Sequence, residues 1–145
     1  MNAYPFKEAK EKIDSICRKA AENGYPTREC FYTMLQENPD IACQGYNAFG
    51  LIFFWNTASH LLYGYREEEV IGCNLFDLIL PQELHTFARD AVAVARKTGR
   101  TPSPGPVDLL HRRGQRLHIY SGHLVFRWDK RAEPEFYCID IKIGN

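Results

Sequence analysis

Residues 50–82, GLIFFWNTASHLLYGYREEEVIGCNLFDLILPQ, constrain the fold of this chain more than any other stretch. Four unlike elements follow one another there with almost no linker. Residues 51–55 are an apolar, aromatic run bounded by Gly50, the pattern of a buried strand. Asn56 comes next, and its short side chain is suited to accept from a backbone N–H over 57–59 and so start a helix. Ala58, Leu61 and Leu62 at i, i+3 and i+4 give that helix an apolar side, and Gly64 supplies a left-handed stop. Residues 67–70 make one further turn, closed by Gly72. A chain that changes direction this often wraps around a small cavity instead of building a bundle or a barrel.

The flanking segments fit the same plan. Phe6, Ala9, Ile13, Ile16 and Ala20 form a seam of period 3.5 over 6–22, ended by Asn23-Gly24. That seam suits a helix lying on the domain's own sheet and equally a homodimer interface, and homodimerisation through Phe6–Ala20 is the expected partnership. Thr27 is placed to cap a helix over 28–36, and Asn38-Pro39-Asp40 breaks it. Strands are expected at 41–46 and 51–55, joined by the turn 47–50. A short helix over 75–79 and a long one over 82–98 follow, with Pro81 at its start and Gly99 at its end. Leu84, Phe87, Ala88, Ala91, Val94 and Ala95 are its expected buried stripe. Residues 101–106, TPSPGP, read as an exposed loop. Strands at 107–111, 115–128 and 135–143 close the chain. Helices between two groups of strands imply an α+β fold with one five-stranded antiparallel sheet.

Three short motifs carry a family resemblance: Trp55-Asn56 ending a strand with Ala58 in the next helix, Leu62-Tyr63-Gly64-Tyr65, and Glu68-Glu69-Val70-Ile71-Gly72. In this the chain resembles the PAS domain, over about residues 28–142. The resemblance implies residues 1–27 as an N-terminal flanking helix and 28–145 as the PAS domain. Ile139-Asp140-Ile141 is similar to the family's closing Asp-Ile-Thr, with Lys142 where Thr is usual. Arg66 stands where a capping Ser or Thr is usual, which leaves the turn at 67–70 less well capped.

Composition excludes several classes. Eighteen basic and eighteen acidic residues balance, so the basic stripe of a nucleic-acid binder is missing. No apolar run reaches the length of a membrane span, and the first residues, MNAYPFKEAKEK, lack a secretory core. Cys17, Cys30, Cys43, Cys73 and Cys138 form no CxxC pair and are odd in number, which reads as reduced thiols in a cytoplasmic protein.

Candidate chemistry is sparse. His118 and His123 lie five apart in a strand and face opposite sides, so no shared metal is expected. Ser121 lies between Tyr120 and Gly122 with no nucleophile elbow. Cys73 precedes a helix and reads as an inert thiol, and Arg112, Arg113 and Arg116 read as a solvated hairpin tip. The resemblance implies two cofactor options. The flavin-reactive Cys of photoreceptor members corresponds to Leu75 here, with Cys73 two residues early. A haem-ligating His corresponds roughly to His85, which stands earlier in the long helix than that ligand usually does. Neither haem nor flavin is therefore expected.

The expected site is a pocket between the long helix and the sheet. Phe53, Phe76, Phe87, Tyr120 and Phe126 would wall it, and Ala91, Gly122 and Cys138 would leave volume; a dry, filled core is the alternative. Asp140 is the expected relay residue, either paired with a basic group or at an exposed edge. The resemblance implies a non-enzymatic sensory and interaction module that binds a small ligand or partner. Such modules usually control a histidine kinase, a cyclic-dinucleotide enzyme or a transcription regulator. The competing classes are a haem or flavin sensor and a small α+β enzyme with a buried pocket.

Overall fold

A computed structural model of the chain describes residues 3–144. Its elements are α1 (Phe6–Ala21), α2 (Arg28–Glu37), β1 (Ala42–Tyr46), β2 (Ile52–Trp55), α3 (Thr57–Tyr63), α4 (Glu67–Val70), α5 (Leu75–Ile79), a 3₁₀ turn (Gln82–Leu84), α6 (His85–Thr98), β3 (Gly105–Leu110), β4 (Arg116–Phe126) and β5 (Glu135–Lys142). The five strands form one antiparallel sheet in the order β2-β1-β5-β4-β3. The expected α+β class and sheet are both present, and the last strand in sequence takes the centre of the sheet.

Asn56 organises the β2–α3 junction. Its Oδ1 accepts from the Ser59 backbone N–H at 3.0 Å, capping α3, and from the Cys43 N–H of β1 at 2.9 Å. Its Nδ2 donates to the Ile41 carbonyl at 2.8 Å. One side chain thus ties two neighbouring strands to a helix start. Gly64 ends α3 at φ +87°, and a Cβ there would stand 2.8 Å from the His111 ring. Both the conformation and the space require glycine. At Arg66 the missing Ser/Thr cap is offset in part, because Glu69 Oε1 accepts from the Arg66 N–H at 3.0 Å.

The sheet is covered on both faces. On its inner face, α3 to α6 enclose a core that includes Ile52, Trp55, Leu75, Ile79, Ile119 and Phe136. On its outer face, α1 and α2 cover Phe126, Tyr137, Ile139 and Ile141. Ala9, Ile13 and Ile16 of the α1 seam are buried there against the chain's own sheet. The Phe6 ring stands edge-on to Tyr120, with centroids 5.5 Å apart. Gly122 lets the helix approach, since a Cβ there would meet Cys17 Sγ and Ile13 Cγ2 at 2.7 Å. The two ends of the described chain also meet. Tyr4 pairs in parallel with Ile143, its N–H donating to the Lys142 carbonyl, while the Gly144 N–H donates to the Tyr4 carbonyl.

Three local expectations are corrected. Leu61 is 60% exposed, and Ala58 and Leu62 alone of the expected trio face the core. The long helix begins as a 3₁₀ turn, and its buried positions are His85, Val92 and Ala95, while Phe87 and Val94 are 62% and 52% exposed. Alanine at 88, 91, 93 and 95 allows more than one phase for such a stripe. The His85 ring settles it by turning inward to bond the Leu80 carbonyl at 3.0 Å. Finally, β3 starts at Gly105, so Pro106 lies within it. That is tolerated because β3 is an edge strand.

Candidate functional site

Strand register assembles the site. Residues two apart on a strand share a face, and Gln44 pairs with Cys138, Ser121 with Asp140, and His123 with Cys138. Gln44 and Tyr46 of β1, Ser121 and His123 of β4, and Cys138 and Asp140 of β5 therefore share the inner face at the middle of the sheet. Above them, between the sheet and α5 and α6, lies a cavity of about 270 Å³. Its sides are apolar, with Leu75, Phe76 and Ile79 from α5 and Val92 and Ala95 from α6. Phe87, Ala91 and the 101–106 segment border it on the exposed side.

Beneath this floor lies a hydrogen-bonded knot around Asp140, which is fully buried. Tyr63 Oη and Ser121 Oγ each donate to its carboxylate at 2.6 Å. Burial pushes the Asp140 pKa up from 3.8 to about 6, and the bonds from Ser121, Tyr63 and Gln44 pull against that rise. Tyr63 is pushed well above its ordinary range, by burial first and then by the carboxylate. Among the described residues no cation pairs with Asp140, and it sits on the central strand, so neither the expected basic partner nor the exposed edge holds. Hydroxyl donors and not a basic group or solvent hold this carboxylate.

Cys138 and His123 form a second pair on the same floor, Sγ to Nδ1 at 3.5 Å, with Tyr46 Oη 3.6 Å from the sulfur. Such a pair invites a nucleophile reading, and Ser121, His123, Cys138 and Asp140 share one face. Their protonation works the other way. Burial, then the Asp140 charge, raises the thiol pKa, and burial lowers the His123 pKa from 6.5 to about 4. Both partners are held neutral, the opposite of a thiolate–imidazolium couple. The pair provides hydrogen bonding without a poised nucleophile.

Of the residues expected to wall a pocket, Phe76, Phe87, Ala91 and Cys138 border the cavity, Phe87 on its exposed side. Tyr120, Gly122 and Phe126 are corrected, because they have the opposite parity on β4 and face α1 and α2. Tyr120 Oη donates to Asp14 of α1 at 2.8 Å. Phe53 is corrected too. It lies 40% exposed beside Tyr137, on the outer side of a bulge between β1 and β2. Gln44, Ser121, His123 and Tyr63 belong to the site and were missed. For Ser121 and His123 the signal was the i, i+2 spacing of polar residues, matched at 138/140 on the neighbouring strand, while Gln44 and Tyr63 gave none.

The His85 ring nitrogen is taken by Leu80, and His85 does not border the cavity. Leu75 occupies the position of the flavin-reactive thiol, and Cys73 is exposed, its Sγ 3.6 Å from the Glu69 carbonyl. Among the described residues no cluster of three or more metal-ligating side chains occurs.

The sequence model of the PAS fold family matches residues 30–121, and the chain belongs to that family. Solved structures agree. A PAS domain from Colwellia psychrerythraea is 22% identical, with a TM-score of 0.62, covering 78% of this chain and 97% of that one. A PAS domain from Desulfitobacterium hafniense is 16% identical, TM-score 0.61, covering 76% and 99%. The PAS domain of the Cronobacter turicensis RpfR quorum-sensing receptor, in complex with C12:0, is 21% identical, TM-score 0.56, covering 72% and 95%. A comparison with curated proteins finds no match. PAS domains are sensory modules, and no helix among the described residues is long and apolar enough to cross a membrane.

Proposed function

We propose that this PAS domain is a non-enzymatic sensor that takes a small molecule into the inner cavity and reports its presence through the Asp140 knot. The observation that carries this reading is continuity. Ser121 borders the cavity and bonds Asp140, which bonds Tyr63 of α3, and Gln44 borders the cavity and bonds Ser59 of the same helix at 3.0 Å. Filling the cavity displaces side chains whose other ends hold α3 and the central strand. The neutral Cys138–His123 pair supports a binding role over a catalytic one. The residues at 75 and 85 support a sensor without flavin or haem. A cavity near the lower end of the usual range for small-molecule sites favours a compact ligand.

The output is a partner or attached signalling domain, such as a histidine kinase or a cyclic-dinucleotide enzyme, in the cytoplasm. For the α1 seam, burial of Ala9, Ile13 and Ile16 favours a covering helix over a homodimer interface. Native mass spectrometry of the protein purified from its own host tests the reading. A discrete mass excess is expected, lost when Ala95→Phe fills the cavity. A mass excess unchanged by that substitution, or none in either protein, refutes it.

A further inference from the structure

The cavity wall carries no net charge of its own. Among the described residues bordering it there is no lysine, arginine, aspartate or glutamate, and His123 is held neutral. The charge that stands close behind the floor is Asp140, bonded to Ser121 and ionised above about pH 6. An anionic ligand would leave water, meet no cation and approach a carboxylate, which disfavours it on both counts.

The polar floor is also nearly self-satisfied. Ser121 gives its proton to Asp140, and Tyr46, Cys138 and His123 engage one another. Gln44 is the exception. Its Nε2 donates to Ser59 Oγ at 3.0 Å. Ser59 has one hydroxyl proton and two acceptors within reach, the Cys43 carbonyl and Asn56 Oδ1, so it must receive from Gln44. That fixes which end of the amide is which. The Gln44 amide also helps to hold down the Asp140 pKa. Its Oε1 remains, fully buried and without a hydrogen-bond partner among the described residues. A buried acceptor in that state is costly, and a ligand that supplies a donor removes the cost.

We infer that the cavity selects an uncharged amphipathic molecule whose polar end carries an O–H or N–H donor, an alcohol or amide and not a carboxylate, received by Gln44 Oε1. The apolar body lies against Leu75, Ile79, Val92 and Phe136. This rests on the ligand-binding reading above and adds the chemistry of the ligand to it.

Calorimetric titration with octan-1-ol, octanamide, methyl octanoate and sodium octanoate tests it, well above the pH at which Asp140 titrates. The four probes share a chain and differ in donor and charge. The alcohol and the amide are expected to bind about tenfold more tightly than the donor-less ester, with octanoate the weakest. Gln44→Met is expected to bring alcohol and ester to equal affinity. Should that variant fail to fold, the ranking in the native protein decides alone. Equal binding of alcohol and ester by the native protein overturns the donor assignment while leaving the cavity a ligand site. Tightest binding by octanoate overturns the selection for neutral molecules. Binding of none of the four overturns both the inference and the cavity as a site for such molecules.

Discussion

Replacing Asp140 with asparagine should stabilise this protein at neutral pH, and by an amount that depends on pH in a defined direction. Asparagine keeps the shape of the carboxyl and can still meet Tyr63 and Ser121, whose hydroxyls both donate and accept. What it removes is the charge. In the folded protein the Asp140 pKa stands at about 6, against 3.8 ordinarily. Between those values the folded chain holds a proton that the unfolded chain has released. Stability from this group is therefore complete below about pH 3.8 and is lost as pH rises through about 6, leaving the native protein about 3 kcal/mol short at pH 7. The variant does not suffer that loss. Its advantage should be about 3 kcal/mol at pH 7 and shrink to about 1 kcal/mol at pH 4.5. Weaker bonds from a neutral amide lower both figures alike, so the narrowing between the two pH values is the secure signal. His123 titrates in the same acid range but is present in both proteins and cancels. Urea unfolding at the two pH values measures the difference directly. A gap that stays constant with pH, or that widens in acid, would refute the reasoning, since either means that the carboxylate is not destabilised by its surroundings.

Other consequences can be measured as readily. Gly122→Ala should cost about 1–3 kcal/mol by forcing a methyl group between β4 and α1, and limited proteolysis should then cut first around residues 22–26; an unchanged urea midpoint would show that α1 yields freely. His123 should remain neutral to well below pH 6.5, with an NMR midpoint near 4. Because its folded pKa is lowered, the stability it brings is present above about 6.5 and lost as pH falls through about 4, and a midpoint near 6.5 would mean an open, hydrated ring. Ile13→Ala should destabilise the monomer by about 2–5 kcal/mol, and sedimentation of the native chain should show no dimer held through α1. A native dimer dissociated by this substitution would return the seam to the interface role.

Local signals carried most of the architecture. Asn56, Gly64 and Thr27 each act through their own backbone neighbourhood, and each caps or ends the helix expected of it. The strands and their order along the chain followed from runs of apolar residues between turns. The faces of those strands were harder, for a definite reason. Alternation marks a buried side only when the other side meets water, and here α1 and α2 cover one face while α3 to α6 cover the other. Tyr120 and Phe126 thus carry as much apolar character as the residues beside the cavity, and they were assigned to the wrong side. Polar residues would have been the better guide: Ser121, His123 and Asp140 mark the cavity face because nothing on the outer face needs them. The stripe of α6 failed differently. Four alanines leave its phase nearly undetermined, and the deciding bond from His85 to Leu80 depends on a turn whose geometry no periodicity encodes. The Gln44 orphan is a property of three elements meeting, and no single segment announces it.

The parallel bridge between Tyr4 and Ile143 has a topological consequence. Because Tyr4 is laced by hydrogen bonds to Lys142 and Gly144, the described fold is nearly a closed loop. It resembles a bead clipped onto a thread more than a link strung along it. A short glycine bridge from Ala3 to Gly144, with the chain reopened in the exposed turn around Lys130, would leave every strand pairing in place. A rearranged polypeptide that kept the native circular dichroism spectrum would bear this out, and one that failed to fold would mean the order of synthesis matters as well as the geometry.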